Sequence, residues 1–165
     1  MVKALLVFRH AKSSRSDDTL DDHDRPLNKR GNRTAPLMGK WIAKQNAVPE
    51  LILSSTAKRA KSTAKKAAKA MGYKGEIRYD KSLYLAQPSA YLKALQSYAT
   101  SQTRVMLVGH NPGLEELLQA MTGKAQALPT AALAEIRLDI ESWQDLQSNT
   151  TGELDHLWLP RELFT

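Results

Sequence analysis

Lys3-Ala4-Leu5-Leu6-Val7-Phe8-Arg9-His10-Ala11 opens the chain with an apolar run that ends on an arginine and a histidine. Residues 3–8 have the continuous hydrophobicity of a short strand buried on both faces, as in a parallel sheet. Leu51-Ile52-Leu53 and residues 105–108 repeat the pattern. Between these runs the period becomes helical. In residues 32–44, Ala35, Met38 and Ile42 share one face, with Leu37 and Trp41 beside them. Ala57, Ala60, Ala64, Ala67 and Met71 recur at the same spacing, and Gly72 suits a C-cap. Pro88 and Pro112 suit helix starts, the first ahead of Leu92, Leu95 and Ala99, the second ahead of Leu114, Leu117, Leu118 and Met121. Residues 76–83 read as a further strand. Ala134, Ile136, Leu138 and Ile140 alternate with Glu135, Arg137 and Asp139, the pattern of a half-exposed strand, and residues 154–159 read as the last strand. Strands alternating with helices predict an α/β fold: a three-layer sandwich whose mostly parallel central sheet is flanked by helices, in one domain spanning residues 1–165.

Composition narrows the class. The chain has 165 residues, 42% hydrophobic and 25% charged, in the range of soluble globular proteins. No apolar run approaches the length of a membrane span, and the first is too short for a signal-peptide core. A cytoplasmic protein without membrane contact is expected. There is no cysteine, which excludes disulfides, thiolate catalysis and cysteine-bound zinc. The net charge of +7 favours anionic partners or simply wets the surface, and charge alone does not choose between these. Residues 13–25 form a polar, acidic stretch without periodicity, a loop long enough to be functional. Its Asp17, Asp18, Asp21 and Asp22 read as solvated.

Ligands of open α/β sheets bind at the carboxyl ends of the strands. After the first buried run come Arg9 and His10. After the second come Ser54-Ser55-Thr56, with Arg59 in the following helix. After the third comes Gly109-His110-Asn111-Pro112-Gly113. If the three strands are neighbours, two arginines and two histidines converge. That set suits a phosphoryl group, because guanidinium forks match its oxygens. A helix starting near Thr56 would add N–H groups and a positive dipole end, and glycines around His110 would let the backbone approach a ligand. No Walker-type glycine loop with its lysine is present. Taken singly, each feature has a plain structural account. A lone histidine is usually structural, Ser54 and Ser55 suit helix capping, and the lysines around Arg59 suit a wet helix face. The coincidence at three strand ends carries the functional reading.

These residues resemble the histidine phosphatase superfamily, also called phosphoglycerate-mutase-like. Val7-Phe8-Arg9-His10-Ala11 is similar to its Arg-His-Gly signature, residues 54–60 to its Ser-x-x-x-Arg-Ala segment, and residues 108–113 to its second histidine motif. Asp24-Arg25-Pro26-Leu27 with Gly31, the Gly109-His110-Asn111-Pro112 run and the short length resemble the SixA-type phosphohistidine phosphatases, which lack a large cap insertion. The resemblance implies His10 as nucleophile, Arg9, Arg59 and His110 as its catalytic and phosphate-binding company, and Arg25 as a further phosphate ligand. It implies no cofactor and no metal, since arginines take the cation's place. Relatives acting on sugar or glycerate phosphates carry an acidic proton donor after the third strand. Residues 83–89 read Leu83-Tyr84-Leu85-Ala86-Gln87-Pro88-Ser89, without a carboxylate.

The missing acid bears on the substrate. An alkoxide needs a proton donor to leave, typically worth a hundredfold or more. An imidazole, with an ordinary pKa of about 6.5, leaves with far less help. Phosphohistidine on a protein, such as a phosphotransfer domain, is the expected substrate, unless an aspartate of the 13–25 loop folds over the site. The alternatives are a metal-independent phosphatase of small phosphoesters and a silent module binding phosphoprotein or nucleic acid. The last ranks low because both histidines and both arginines are present.

Overall fold

The computed structural model describes residues 2–164. The three buried runs become β1 (Lys3–Arg9), β2 (Leu51–Ser55) and β4 (Arg104–Gly109). With β3 (Ile77–Asp80), β5 (Leu133–Leu138) and β6 (Gly152–Trp158) they form one sheet in the order β3-β2-β4-β1-β5-β6. The pairs β1–β4, β4–β2 and β2–β3 are parallel, whereas β5 and β6 extend the β1 edge antiparallel. The helices are α1 (Lys29–Lys44), α2 (Lys58–Met71), α3 (Pro88–Tyr98), α4 (Gly113–Thr122) and a short α5 (Pro160–Leu163).

Alternate residues of each strand feed opposite cores, as the pleat requires. Leu6, Phe8, Ile52 and Met106 pack on Ala35, Met38, Ile42, Ala60 and Ala64 of α1 and α2. Leu5, Val7, Leu53 and Leu107 pack on Tyr91 and Leu95 of α3 and Leu114 and Leu117 of α4. The result is the expected three-layer α/β sandwich with a mostly parallel sheet. Helix ends follow local chemistry: Asn28 caps α1 by accepting from Gly31 N at 2.9 Å, and Gly72 ends α2 at φ +75°. Among the described residues no helix is long and apolar enough to cross a membrane.

Several expected boundaries move. The 76–83 strand is only Ile77–Asp80, because the Asp80 side chain accepts from Ser82 N and starts a 3₁₀ turn over Lys81–Leu83. α1 begins earlier than its apolar stripe, at the Asn28 cap. α2 begins at Lys58, close to the expected start near Thr56. β5 is not half-exposed: Glu135 is buried, because it pairs with Arg104 at 3.0 Å while β6 covers the outer edge, and only Arg137 of the strand is exposed. The last strand starts two residues early, at Gly152, and Leu159 lies beyond it.

Candidate active site

Because β4 lies between β1 and β2, the three motif-bearing strand ends are adjacent. β1 ends in Arg9 and delivers His10, β4 delivers His110, and β2 ends in Ser55, from which a turn leads into the first turn of α2 with Arg59. The His10 and His110 rings lie 5.1 Å apart between centroids. Arg9, His10, Arg25, Arg59 and His110 all line one cleft of about 270 Å³, so the five residues expected at the site are together. Lys12, Arg15 and Asp22 also line it.

His10 is held by its backbone and by one ring nitrogen. Its N–H donates to Gly109 O at 3.1 Å, and Nδ1 lies 2.8 Å from Ala11 O. A carbonyl oxygen can only accept, so Nδ1 carries the proton and Nε2 carries the lone pair. Nε of Arg59 donates toward that lone pair at 3.4 Å. Ala11 is itself fixed: its N–H donates to Thr63 Oγ1 at 3.0 Å, and the Thr63 hydroxyl donates to Arg59 O at 2.7 Å. Thr63 thereby ties the residue behind the His10 ring to the helix turn that carries Arg59.

His110 hydrogen-bonds through Nε2 to Ser55 Oγ at 2.7 Å, and its backbone N–H donates to the Tyr91 hydroxyl at 3.2 Å. Ser55 Oγ also accepts from Ala57 N at 3.1 Å, so this serine serves both the helix entry and the second histidine. Arg9 donates through Nη1 to Leu128 O at 2.9 Å, while its Nε is buried without a hydrogen-bond partner among the described residues. Arg25 reaches the cleft from the 13–25 loop, donating to Ser13 Oγ at 2.8 Å and Ser14 O at 3.1 Å.

Both histidines are neutral well below neutral pH. His10 is lowered to about 4, chiefly by burial, then by Arg59, Arg9 and Arg25, against an opposing pull from the Ala11 carbonyl. Burial also depresses His110, with His10 and Arg59 adding to it. The direction matches expectation, but the larger cause is desolvation rather than the neighbouring cations.

Two features go beyond the sequence reading. Gly109 and Gly113 are required by packing within the protein. A Cβ on Gly109 would stand 2.3 Å from the Tyr91 hydroxyl, and one on Gly113 would stand 1.8 Å from Ala86 O, so both let α3 and its leading loop close against β4 and α4. Asp22 is exposed like its loop neighbours, but its carboxylate is tied to the arginines of the cleft. Its Oδ1 accepts from Arg25 Nε at 3.0 Å, its Oδ2 accepts from Arg59 Nη2 at 2.9 Å and from the Tyr84 hydroxyl, and its carbonyl accepts from Arg59 Nη1 at 2.7 Å. The Tyr84 hydrogen bond, followed by those from Arg59 and Arg25, holds the Asp22 carboxyl far below the usual range. Asp22 is the loop aspartate that folds over the site, the exception the sequence reading allowed for, whereas Ser55, Thr63 and Tyr84 went unrecognised as site residues. Thr63 alone left a local signal, a polar side chain fully buried on the alanine-rich face of α2.

A parallel sheet that gathers two neutral histidines and three guanidinium groups at its carboxyl edge defines a histidine-dependent phosphatase. The model of the histidine phosphatase superfamily (branch 1) matches residues 5–84. The chain aligns at 30% identity, over 96% of its length and 98% of the other, with a candidate phosphohistidine phosphatase SixA of Agrobacterium tumefaciens, at a TM-score of 0.81. The SixA counterpart from Nakamurella shares 22% identity over 97% of each chain at a TM-score of 0.84. An uncharacterised protein of Mycobacterium leprae is 32% identical over 93% of this chain and its own whole length. The chain belongs to the histidine phosphatase superfamily.

Proposed function

We propose that this phosphatase removes phosphate from phosphohistidine on a protein, through a phosphoenzyme on His10. Nε2 of His10 attacks phosphorus as the bond from phosphorus to the substrate imidazole breaks. The substrate ring, protonated on its far nitrogen, leaves as neutral imidazole and needs no proton at the breaking bond. The intermediate carries phosphate on Nε2 and the proton on Nδ1, where the Ala11 carbonyl holds it. Water then adds to phosphorus, its proton leaves with the released phosphate, and His10 returns as neutral imidazole. Arg9, Arg25, Arg59 and His110 bind the transferred oxygens. Their charge and hydrogen bonds are most of what phosphoryl transfer asks of a protein, so arginines serve here where other enzymes use a metal ion. The chain works as a single domain, in the cytoplasm.

The observation that carries the substrate assignment is the state of Asp22. It is the carboxylate that lines the cleft, and it is held ionised by Tyr84, Arg59 and Arg25. With these contacts in place it has no proton to give an alkoxide, whereas imidazole does not ask for one. The test is phosphate release from a phosphohistidine protein, an aryl phosphate and an alkyl phosphate, with EDTA present, by wild type and His10→Ala. Expected are turnover of phosphohistidine far above alkyl phosphate and loss of at least a thousandfold in His10→Ala. Equal turnover of the alkyl ester would instead support the small-phosphoester reading. An active His10→Ala would remove the nucleophile assignment.

A further inference from the structure

The structure assigns the rim of the cleft to protein docking: Leu20 and Leu85 form its apolar contacts, and Lys58, Lys61 and Lys65 face the acidic surface of the phosphorylated partner. This rests on the phosphohistidine-protein reading above and adds to it the surface that holds the protein.

A single exposed leucine needs no explanation. Here the distribution does. Among the described residues the exposed large hydrophobics are Val2, Leu20 and Leu85. Val2 precedes β1, at the end of the sheet away from the cleft. Leu20 and Leu85 lie on the two loops that flank the cleft, 38% and 54% exposed. Leu85 borders it together with Arg15, Asp22 and Arg25, and the same three residues line an adjoining hollow that includes Leu20.

Leu85 is also in a conformation that disfavours leucine. Tyr84 at φ −74°, ψ 118° is followed by Leu85 at φ +49°, in the left-handed region. That region suits glycine or asparagine, since a branched side chain crowds its own backbone there. A leucine that is both strained and exposed gains nothing for the fold. It is accounted for by a contact made outside the chain.

Beside Asp22, His23 and Thr56 open onto a second hollow lined by Lys58, Lys61 and Lys65 of α2. Nζ of Lys61 and Lys65 lies 4.9 and 6.0 Å from the centre of the Tyr79 ring, which sets the orientation of these two ammonium groups. Asp24 lines the same hollow, but three lysines against one carboxylate leave this face net positive, so it complements an acidic protein and would repel a basic one. A free metabolite the size of the cleft would touch neither Leu20 nor the lysines.

The experiment compares two substrates with the same phosphorus–nitrogen bond: a histidine-phosphotransfer protein phosphorylated with phosphoramidate, and free phosphohistidine. Leu20→Asn is expected to raise KM for the protein at least fivefold and to leave kcat/KM for the free amino acid within twofold, and Leu85→Asn to raise the protein KM by a larger factor than that of the free amino acid. Asparagine tolerates the positive φ, so the unfolding midpoint is expected to hold or rise, which separates docking from a fold defect. Lys61→Glu/Lys65→Glu is expected to raise the protein KM in the same selective way. Variants that leave the protein KM unchanged, or that weaken both substrates alike, would overturn the docking face while leaving the phosphatase reading intact. A wild type that acts on neither substrate would overturn both.

Discussion

The Asp22 carboxylate accepts a hydrogen bond from Arg59 Nη2 at 2.9 Å, so the guanidinium proposed to bind the transferred phosphoryl group already holds an anion from its own chain. Arg25 holds the other carboxylate oxygen at 3.0 Å. A phosphate entering the cleft competes with Asp22 for both forks, and the Tyr84 hydroxyl gives the displaced carboxylate a second anchor. Asp22→Asn removes the competing charge but keeps the shape. Inhibition constants for phosphate and tungstate are expected to fall several-fold, with phosphohistidine turnover retained. A loss of a hundredfold or more, confined to poor leaving groups, would instead make Asp22 the proton donor.

The buried histidines make the fold sensitive to acid. The folded His10 titrates at about 4, below the 6.5 of an unfolded imidazole, so between those values the unfolded chain binds the extra proton. Stability is therefore complete above about pH 6.5 and falls as pH drops through about 4, by an amount on the order of a few kcal/mol. His110 acts in the same direction. Urea denaturation at pH 7 and pH 4.5 measures the loss, and an NMR titration of the His10 ring locates its midpoint. A midpoint near 6.5, or equal stability at the two pH values, would contradict the burial argument.

Gly113 offers a contest between two opposed effects. Alanine is the better helix former by about 1 kcal/mol. Yet a Cβ at this position would lie 1.8 Å from Ala86 O, and a backbone atom cannot swing aside as a flexible side chain can. Overpacking of this kind costs about 1–3 kcal/mol, so Gly113→Ala is expected to lower the denaturation midpoint. The displaced loop carries Tyr84, so Tyr84's hold on Asp22 should loosen as well. A stabilised variant would mean that the loop shifts freely.

The parts of the site that could be read from sequence were those whose signal is local. Leu5 to Phe8 is apolar in consecutive positions, and Arg9 and His10 follow directly, so strand and strand end were visible together. Convergence of His10, Arg59 and His110 required only that β4 lie between β1 and β2. Asp22 could not be told from Asp17, Asp18 and Asp21, because its partner Tyr84 lies 62 residues away. Glu135 looked exposed because its partner Arg104 is 31 residues upstream. The packing role of Gly109 and Gly113 was not legible because the tyrosine and the carbonyl they accommodate belong to α3 and the loop before it. In each case the missing information was a tertiary contact that overrides local pattern.

Thr63 tests whether the His10 ring is held from behind. Its hydroxyl accepts from Ala11 N and donates to Arg59 O, both inside the core. Thr63→Val keeps the volume and removes both bonds, which leaves the Ala11 N–H buried without a partner, at a cost of about 1–3 kcal/mol. Ala11 O holds the proton on His10 Nδ1, so slack at Ala11 weakens the control of which ring nitrogen carries the lone pair. Thr63→Val is expected to lower kcat about tenfold with little change in KM, since none of the groups that bind the phosphoryl oxygens is removed. Thr63→Ser restores the hydroxyl and is expected to recover most of kcat. If valine and serine lower kcat equally, Thr63 contributes only volume and the His10 ring is positioned by its own backbone.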